Sequence, residues 1–253
     1  MLRYAALNHE LPKVIRDVYR SGSNVILDYA RENCSLDDAQ HISKINMKIM
    51  KAVPGSVFAI KPTSFGSRIS PNIAFSHTEK VIQYAINNTC KVCIDAEDVI
   101  YPKESFDMML KFNKYEPHVY KTYQMYRNNA LKELETDLIL AEKYGIFIGV
   151  KLVRGAYIGK QSNLLSNKFD VDKSFRNGLD MCLNAGEKVN TIVATHNKSD
   201  IKFARTCPHR RYKIAQLMGM NDDFPDYVYV PFGSLSELTP YLFRRFLERL
   251  KWS

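Results

Sequence analysis

Short apolar runs alternate with longer amphipathic segments along most of this chain. The runs are rich in β-branched and aromatic residues and are bounded by polar or turn residues, as is typical of buried parallel strands. Eight such runs occur, at residues 24–28, 56–61, 91–95, 118–124, 145–151, 190–196, 211–217 and 227–231. The pattern therefore predicts eight parallel strands connected mainly by helices.

Helix signals are clearest in two of the intervening segments. The sequence Ser35-Leu-Asp-Asp38 is typical of a capping box and predicts a helix that continues to about Val53. Residues 128–144 carry a second amphipathic pattern, which ends at Gly145, a common helix-terminating residue. The segment 218–226 is too short to hold a full helix.

Eight strands with helical connections predict a (β/α)8 barrel of the TIM type. The chain has 253 residues, close to the roughly 250 residues of a typical barrel. An open doubly wound sheet is the alternative, but it would need a glycine-rich phosphate loop after its first strand, and residues 28–32 contain no glycine. We expect a helical lead-in over residues 1–23 and a single barrel domain over residues 24–253.

Composition and charge narrow the possible partners. Hydrophobic residues make up 45% of the chain and charged residues 25%, which excludes a disordered or collagen-like protein. The net charge of +9 fits a nucleic acid, a membrane surface, anionic substrates or simply a basic surface. Basic runs of five or more residues are absent, which predicts no nucleic-acid partner.

Targeting signals are weak in this sequence. No apolar run approaches the roughly 18 residues of a spanning helix. The first 20 residues lack the apolar core of a secretory signal and make a poor transit peptide.

The cysteines predict a reducing compartment. There are five, scattered and odd in number, which favours free thiols over a disulfide framework. Cys90 and Cys93 have the spacing of a redox or zinc pair, but no second pair completes a metal site. We therefore interpret them as core residues and predict no metal.

Polar side chains lie at the carboxyl ends of most of the predicted strands. The carboxyl ends of barrel strands are where catalytic groups lie. Here those ends carry Lys61, Asp95, Gln124, Lys151, His196 and Tyr229. The pattern predicts a site for a polar, charged ligand.

Five motifs then occur in a fixed order. They are Asp95-Ala-Glu97, Lys151-Leu-Val-Arg-Gly-Ala-Tyr157, Ala194-Thr-His-Asn197, Tyr229-Val-Pro-Phe-Gly233 and Tyr241-Leu-Phe-Arg-Arg245. Together they resemble the proline dehydrogenase (proline oxidase) family, flavoenzymes built on a distorted (β/α)8 barrel. The resemblance covers residues 24–250, and the lysine at the start of the second motif resembles the eukaryotic branch.

The last motif lies in a predicted helix over residues 239–252, with Pro240 in its first turn. Its spacing places Tyr241, Arg244, Arg245 and Glu248 on one helical face. Basic residues near a helix C-terminus can simply complement its dipole. The resemblance instead implies that Arg244 and Arg245 bind the carboxylate of L-proline.

The resemblance also implies the rest of the substrate pocket. Lys61 and Asp95 would form an ion pair that lines it, and both are catalytic candidates with Lys151. Leu217, Tyr229 and Tyr241 would pack around the proline ring. A tyrosine at position 229 favours proline, because hydroxyproline dehydrogenases tend to have a smaller residue there.

FAD is the cofactor that the resemblance implies. Gln124 would contact the isoalloxazine ring and Lys151 would lie near its N5 atom. The remaining cofactor-binding candidates are Ala96, Arg154, Gly155, Ala156, Thr195, His196 and Glu248. Residues 158–161 depart from the family, which usually has a more acidic stretch there.

The implied reaction is the oxidation of L-proline to Δ1-pyrroline-5-carboxylate, with hydride transfer from C5 to flavin N5 and electrons passed to a quinone. The implied location is mitochondrial; a cytoplasmic location and one peripheral to the inner membrane are the alternatives. Hydroxyproline dehydrogenation and a non-catalytic barrel with a basic binding surface remain alternative functions, and the oligomeric state stays open.

Overall fold

The structure is a computed structural model of the chain. It describes residues 4–157, 161–209, 211–220 and 225–252, and the side chains at 244 and 246–252 lie outside the description. The strands are β1 Ala6–Leu7, β2 Asn24–Tyr29, β3 Val57–Ile60, β4 Lys91–Ile94, β5 Val119–Gln124, β6 Ile148–Val153, β7 Val189–Ala194, β8 Tyr212–Leu217 and β9 Tyr227–Gly233. The helices are α1 Leu11–Arg20, α2 Leu36–Ala52, α3 Pro71–Asn87, α4 Pro102–Phe112, α5 Ala130–Tyr144, α6 Lys168–Asn184, α7 Lys198–Thr206 and α8 Leu235–Trp252, with a 3-10 turn at Pro62–Phe65.

The chain forms two compact units. The first comprises Met1–Cys90 with Ala215–Ser253, and the second comprises Lys91–Ile214. In the first unit, β9 pairs in parallel with β1, β2 and the Ala215–Leu217 part of β8, and β2 pairs with β3. In the second unit, β4, β5, β6 and β7 pair in parallel in sequence order.

Strands β2 to β9 are eight strands of one sheet, each connection from β2 to β8 contains a helix, and the fold class is a (β/α)8 barrel. This confirms the fold predicted from the apolar runs. The short strand β1 and helix α1 precede the barrel strands in the lead-in segment.

The two clearest helix predictions are confirmed. Ser35 caps α2 by accepting a hydrogen bond from the Asp38 backbone N–H, and the Asp38 side chain accepts one from the Ser35 backbone N–H. Helix α5 ends at Gly145, which adopts the left-handed conformation at φ 67°. Because that cap ends the helix and turns the chain, β6 begins at Ile148 and not at residue 145 as predicted.

The predicted start of the last helix is wrong. Helix α8 begins at Leu235, and Pro240 lies inside it. The reason is a local cap before it: the Ser234 backbone N–H and hydroxyl each donate to Glu237 Oε2 at 2.8 Å. Helix α8 therefore starts upstream of the proline.

Cys90 and Cys93 are buried core residues, as expected. Burial raises the pKa of the Cys93 thiol to about 12, so it stays protonated and unreactive at neutral pH. Among the described residues, no cluster of histidine, cysteine or acidic side chains is arranged to hold a metal ion. None of the helices described is long and apolar enough to cross a membrane.

Candidate active site

In the first unit, a buried lysine lies between two acidic residues. Lys61 directly follows β3 and is 6% exposed, while Asp28 near the end of β2 is 1% exposed. The Lys61 ammonium donates to Asp28 Oδ1, and Glu32 Oε1 lies 3.8 Å away. Because β2 and β3 run parallel with Asp28 opposite Ala59, both charged groups come to the same end of the sheet. A buried ammonium needs such partners to offset its desolvation.

Sequence reasoning missed Asp28 and Glu32. Asp28 closes the first predicted strand and could have been included among the polar strand ends on that basis. The predicted partner of Lys61, Asp95, belongs to the other unit, and that pairing stays a prediction.

Two of the predicted ring-packing residues are neighbours in the sheet. Leu217 ends β8 and is the register partner of Tyr229 in β9. Both side chains are half-buried. Tyr229 lies early in β9 and not at its carboxyl end, and it is also paired with Ile26 of β2.

Helix α8 carries the other predicted substrate residues. Tyr241 is buried and packs with Ala30 and Leu238, so its ring also belongs to the core. The Arg245 guanidinium carbon lies 5.4 Å from the centre of the Tyr241 ring, a cation–π contact one turn along the helix. Arg244 and Glu248 belong to α8, but their side chains lie outside the described residues.

The N-terminal end of α8 is tied to β2. The Tyr29 hydroxyl donates to Glu237 Oε1 at 2.5 Å. Burial would raise the pKa of Glu237, but hydrogen bonds from Tyr29 and Ser234 outweigh it and lower that pKa on balance. The pKa of Tyr29 is raised by burial and by its carboxylate partner.

In the second unit, Lys151 and Asp95 form a close pair. Lys151 lies inside β6 and is 4% exposed, and its Nζ atom is 2.5 Å from Asp95 Oδ1. The Thr122 hydroxyl donates to the same carboxylate oxygen at 3.3 Å. Thr122 is the register partner of Lys151, so β5 and β6 present both donors to the residue that follows β4. A carboxylate therefore fixes the ammonium that sequence reasoning assigned to the site.

Strand β5 is buried on both faces and divides its side chains between two roles. Thr122 and Gln124 face the segment after β4. Lys121 and Tyr123 face α5, where the Lys121 ammonium is 2.6 Å from Asp137 Oδ2 and the Tyr123 hydroxyl donates to the same atom at 2.7 Å. The period of two along a strand accounts for this division.

Gln124 is held by the chain that follows β4. Its Nε2 group donates to the carbonyl oxygens of Ala96 and Glu97, at 3.1 Å in both cases. Gln161 also contacts Gln124 and the same segment. The structure thus brings two of the predicted cofactor-binding residues, Ala96 and Gln124, into contact with each other and with Gln161, which sequence reasoning did not assign to the site.

Arg154 connects two strand ends through a network of charges. Its Nη1 donates to the Thr195 hydroxyl at 2.7 Å, its Nε is 2.7 Å from Asp172, and its Nη2 is 2.5 Å from Asp200. Arg176 also binds Asp200, at 2.6 Å. These contacts use three of the five guanidinium N–H groups. His196 follows Thr195 directly and is half-buried.

The absence of a side chain at Gly155 lets the Tyr126 ring pack closely against its backbone. Its φ is +131°, and a Cβ atom built there would lie 2.4 Å from the Tyr126 ring. No other residue type fits this position without a shift. Ala156 follows and is half-buried.

Comparison with known proteins identifies the family. The family model described as "Proline dehydrogenase" matches residues 11–250. The chain belongs to the proline dehydrogenase family. The membership predicted from the five motifs is therefore confirmed.

Individual relatives span more than this chain. It is 32% identical over 207 residues to "Proline dehydrogenase 1, mitochondrial" of Caenorhabditis elegans, covering 68% of this chain and 34% of that protein. It is 29% identical over 235 residues to "Hydroxyproline dehydrogenase" of Xenopus laevis, covering 79% of this chain and 50% of that protein. The chain thus spans a third to a half of the length of these relatives.

A solved structure shares the fold. Proline utilization A (PutA) from Bdellovibrio bacteriovorus, inactivated by N-propargylglycine, matches with a TM-score of 0.85 and 18% identity. The match covers 97% of this chain and 32% of that one. It supports the barrel assignment over nearly the whole chain.

Proposed function

We propose that this protein is an FAD-dependent proline dehydrogenase that oxidises L-proline to Δ1-pyrroline-5-carboxylate. The observation that carries the proposal is the buried Lys151–Asp95 pair, at the position where family resemblance puts the group beside flavin N5. Family membership supplies the reaction class, and the site supplies residues with suitable chemistry.

The donor set in the second unit fits a flavin dinucleotide. Lys151, Arg154, His196 and the Thr195 hydroxyl are donors on or just after β6 and β7, and cationic or hydroxyl donors suit the pyrophosphate and the electron-rich edge of the ring. Two N–H groups of Arg154 are not used by its contacts with Thr195, Asp172 and Asp200. When bound, FAD would supply the oxidant by accepting hydride from proline C5 at its N5 atom.

The residues of this chain have separate tasks in that reaction. Lys151 would donate a hydrogen bond at N5, with Asp95 and Thr122 holding its ammonium in place. Arg154 would steady Thr195 at the pyrophosphate through the bond between them. Gln124 would contact the ring, and Ala96, Gly155, Ala156 and Glu248 complete the proposed cofactor set.

The first unit would bind the substrate. Arg244 and Arg245 would bind the proline carboxylate, and Lys61, held by Asp28, would add a third cationic donor. Leu217, Tyr229 and Tyr241 would enclose the ring. The protein's contribution would be orientation and a fixed electrostatic environment.

Hydroxyproline is the second candidate substrate, because a hydroxyproline dehydrogenase is among the relatives. Proline is favoured by Tyr229, a half-buried side chain paired with Leu217 that leaves less room for a ring hydroxyl than a small residue would. A Tyr229→Ser variant that shifts the preference toward hydroxyproline would support this role for Tyr229.

The proposed electron acceptor is a quinone, reached by peripheral association with a membrane. Six of the relatives carry "mitochondrial" in their names, and we propose the same compartment for this protein. Its basic net charge would favour an anionic membrane surface.

The test is a visible absorption spectrum of the purified protein with FAD, recorded before and after anaerobic L-proline. We expect a flavin spectrum that bleaches with L-proline and not with D-proline. Bleaching only with 4-hydroxy-L-proline would replace the substrate assignment. No flavin uptake, with the protein folded by circular dichroism, would favour a non-catalytic barrel.

A further inference from the structure

We propose that Gln161 is a positioning residue for the flavin side of the site. Its side-chain amide fixes both the orientation of the Gln124 amide and the path of the backbone from Ala96 to Asp98. The inference rests on the proposed function, in which Gln124 and Ala96 contact the cofactor. It concerns a residue that does not itself contact the reacting atoms.

The contacts of Gln161 link three separate segments. Its two Nε2 N–H groups are shared among three acceptors: the carbonyl oxygens of Glu97 at 2.7 Å and Asp98 at 3.0 Å, and Gln124 Oε1 at 3.2 Å. The Tyr126 hydroxyl donates to Gln161 Oε1. One side chain thus joins the segments after β4, β5 and β6.

The orientation of both amides follows from their partners. Backbone carbonyls only accept hydrogen bonds, so the atoms of Gln124 and Gln161 that face them must be the NH2 groups. Gln161 Nε2 therefore faces Gln124 Oε1, since two NH2 groups could not bond to each other there. The Gln124 N–H groups are then committed to Ala96 and Glu97, and its oxygen is committed to Gln161.

The hydrogen bonds of Gln161 and Gln124 also affect the position of Lys151, because the backbone that they hold continues from Asp95. The segment that Gln161 and Gln124 hold begins directly after Asp95, the residue whose carboxylate binds the Lys151 ammonium at 2.5 Å. A shift of the Ala96–Asp98 backbone would move that carboxylate and the ammonium with it. Gln161 would thus act on the flavin through Gln124, and on Lys151 through Asp95.

The site needs a neutral amide at position 161. An ionised glutamate of the same shape would place a carboxylate oxygen within 2.7 to 3.2 Å of three oxygens that cannot donate to it. Methionine would keep the approximate length and remove every hydrogen bond. The two substitutions therefore separate added repulsion from simple loss of contacts.

The experiment compares Gln161→Glu, Gln161→Met and the control Gln40→Glu in the full chain. Gln40 is exposed on α2, so its substitution makes the same chemical change outside the site. FAD is titrated into apoprotein, and the dissociation constant and the visible spectrum of the bound flavin are recorded. We expect binding to weaken about tenfold or more in Gln161→Glu and less in Gln161→Met, with a shifted flavin band in both.

The melting temperatures of the apoproteins test the hydrogen bonds of Gln161 without any bound flavin. We expect Gln161→Glu to melt about 3 °C or more below the Gln40→Glu control, because its carboxylate would face the carbonyl oxygens of Glu97 and Asp98 and the side-chain oxygen of Gln124. Equal melting temperatures would overturn the contact network. Lower stability with wild-type FAD affinity and spectrum would overturn the positioning role. Failure of the wild-type protein to take up FAD would overturn the proposed function, and the melting comparison would still test the network.

Discussion

At the scale of single residues, Asp28 is the clearest case of a buried charge whose partner explains it. It is 1% exposed and accepts a hydrogen bond from the Lys61 ammonium. We expect Asp28→Asn to lower the free energy of unfolding by about 3 kcal/mol, because the buried ammonium then loses the carboxylate that accepts its hydrogen bond. Urea denaturation measures this change.

The control for Asp28→Asn is Asp17→Asn, which breaks an exposed pair with Arg20 at 3.6 Å. We expect that change to stay below about 1 kcal/mol. Equal effects of the two substitutions would show that Lys61 does not depend on Asp28.

Gly155 gives a second prediction, since its conformation and its surroundings both require glycine. Its φ is +131°, and an added Cβ atom would lie 2.4 Å from the Tyr126 ring. We expect Gly155→Ala to cost about 2 kcal/mol or more of unfolding free energy and to weaken FAD binding. The matched substitution Gly186→Ala meets nothing within 4 Å and should be nearly neutral.

A double variant separates the two causes at Gly155. Adding Tyr126→Ala removes the steric conflict with the ring but leaves the unfavourable φ. We expect partial coupling between the two substitutions in a double-mutant cycle of unfolding free energies. Strict additivity would mean that the ring contact contributes nothing.

The residues that sequence reasoning found and missed differ in one physical respect. Lys151 and Gln124 lie on or at the end of apolar strands, where a polar side chain stands out from the pattern. Gln161 lies in an irregular segment, and its contacts are with Gln124, Tyr126 and backbone carbonyls. Carbonyl acceptors carry no sequence signal, so only the structure could reveal those contacts.

At the scale of elements, the start of α8 depends on Glu237. That carboxylate accepts hydrogen bonds from Ser234 and from Tyr29 of β2, and its pKa is lowered from the ordinary 4.5 despite partial burial. A lowered folded-state pKa means that the stabilisation is complete above the unfolded-state pKa and is lost as the pH falls through the folded-state value.

We therefore expect the melting temperature of the wild-type protein to fall as the pH drops below about 4.5, and Glu237→Gln to show a weaker fall over the same range. The same substitution at Glu135, which is exposed on α5, is the control and should leave the wild-type profile unchanged. A Glu237→Gln profile that parallels the wild type would mean that acid instability arises elsewhere.

Elements whose signal lies within a few consecutive residues were predicted. Elements that depend on pairing with a residue far away in the sequence were not. The capping box of α2 lies within four consecutive residues, Ser35 to Asp38, and was predicted correctly. The two-residue strand β1 exists because Ala6 and Leu7 pair with Phe232 and Gly233 at the other end of the chain. The α8 start was missed because Pro240 is a stronger signal in the sequence than the Ser234–Glu237 cap.

At the scale of the whole molecule, the fold was predictable because its strands are buried on both faces. Such strands appear as continuous apolar runs, and eight of them in alternation with helices favour one architecture. The pairing of charges within the barrel was less predictable. The pairs Lys61–Asp28 and Lys151–Asp95 depend on the order of the strands in the sheet, and inspecting each apolar run by itself does not give that order.

The net charge of the molecule carries the last prediction. An excess of 36 basic over 27 acidic residues gives +9, and each basic side chain near an anionic bilayer contributes about 1 kcal/mol of attraction. If the proposed acceptor is a membrane quinone, the basic surface of this chain would favour contact with an anionic bilayer. We expect the protein to co-sediment with vesicles containing about 30% phosphatidylserine and much less with phosphatidylcholine alone. Binding should be lost at about 0.5 M salt, where screening acts within a few ångströms, and equal binding to neutral vesicles would contradict an electrostatic approach.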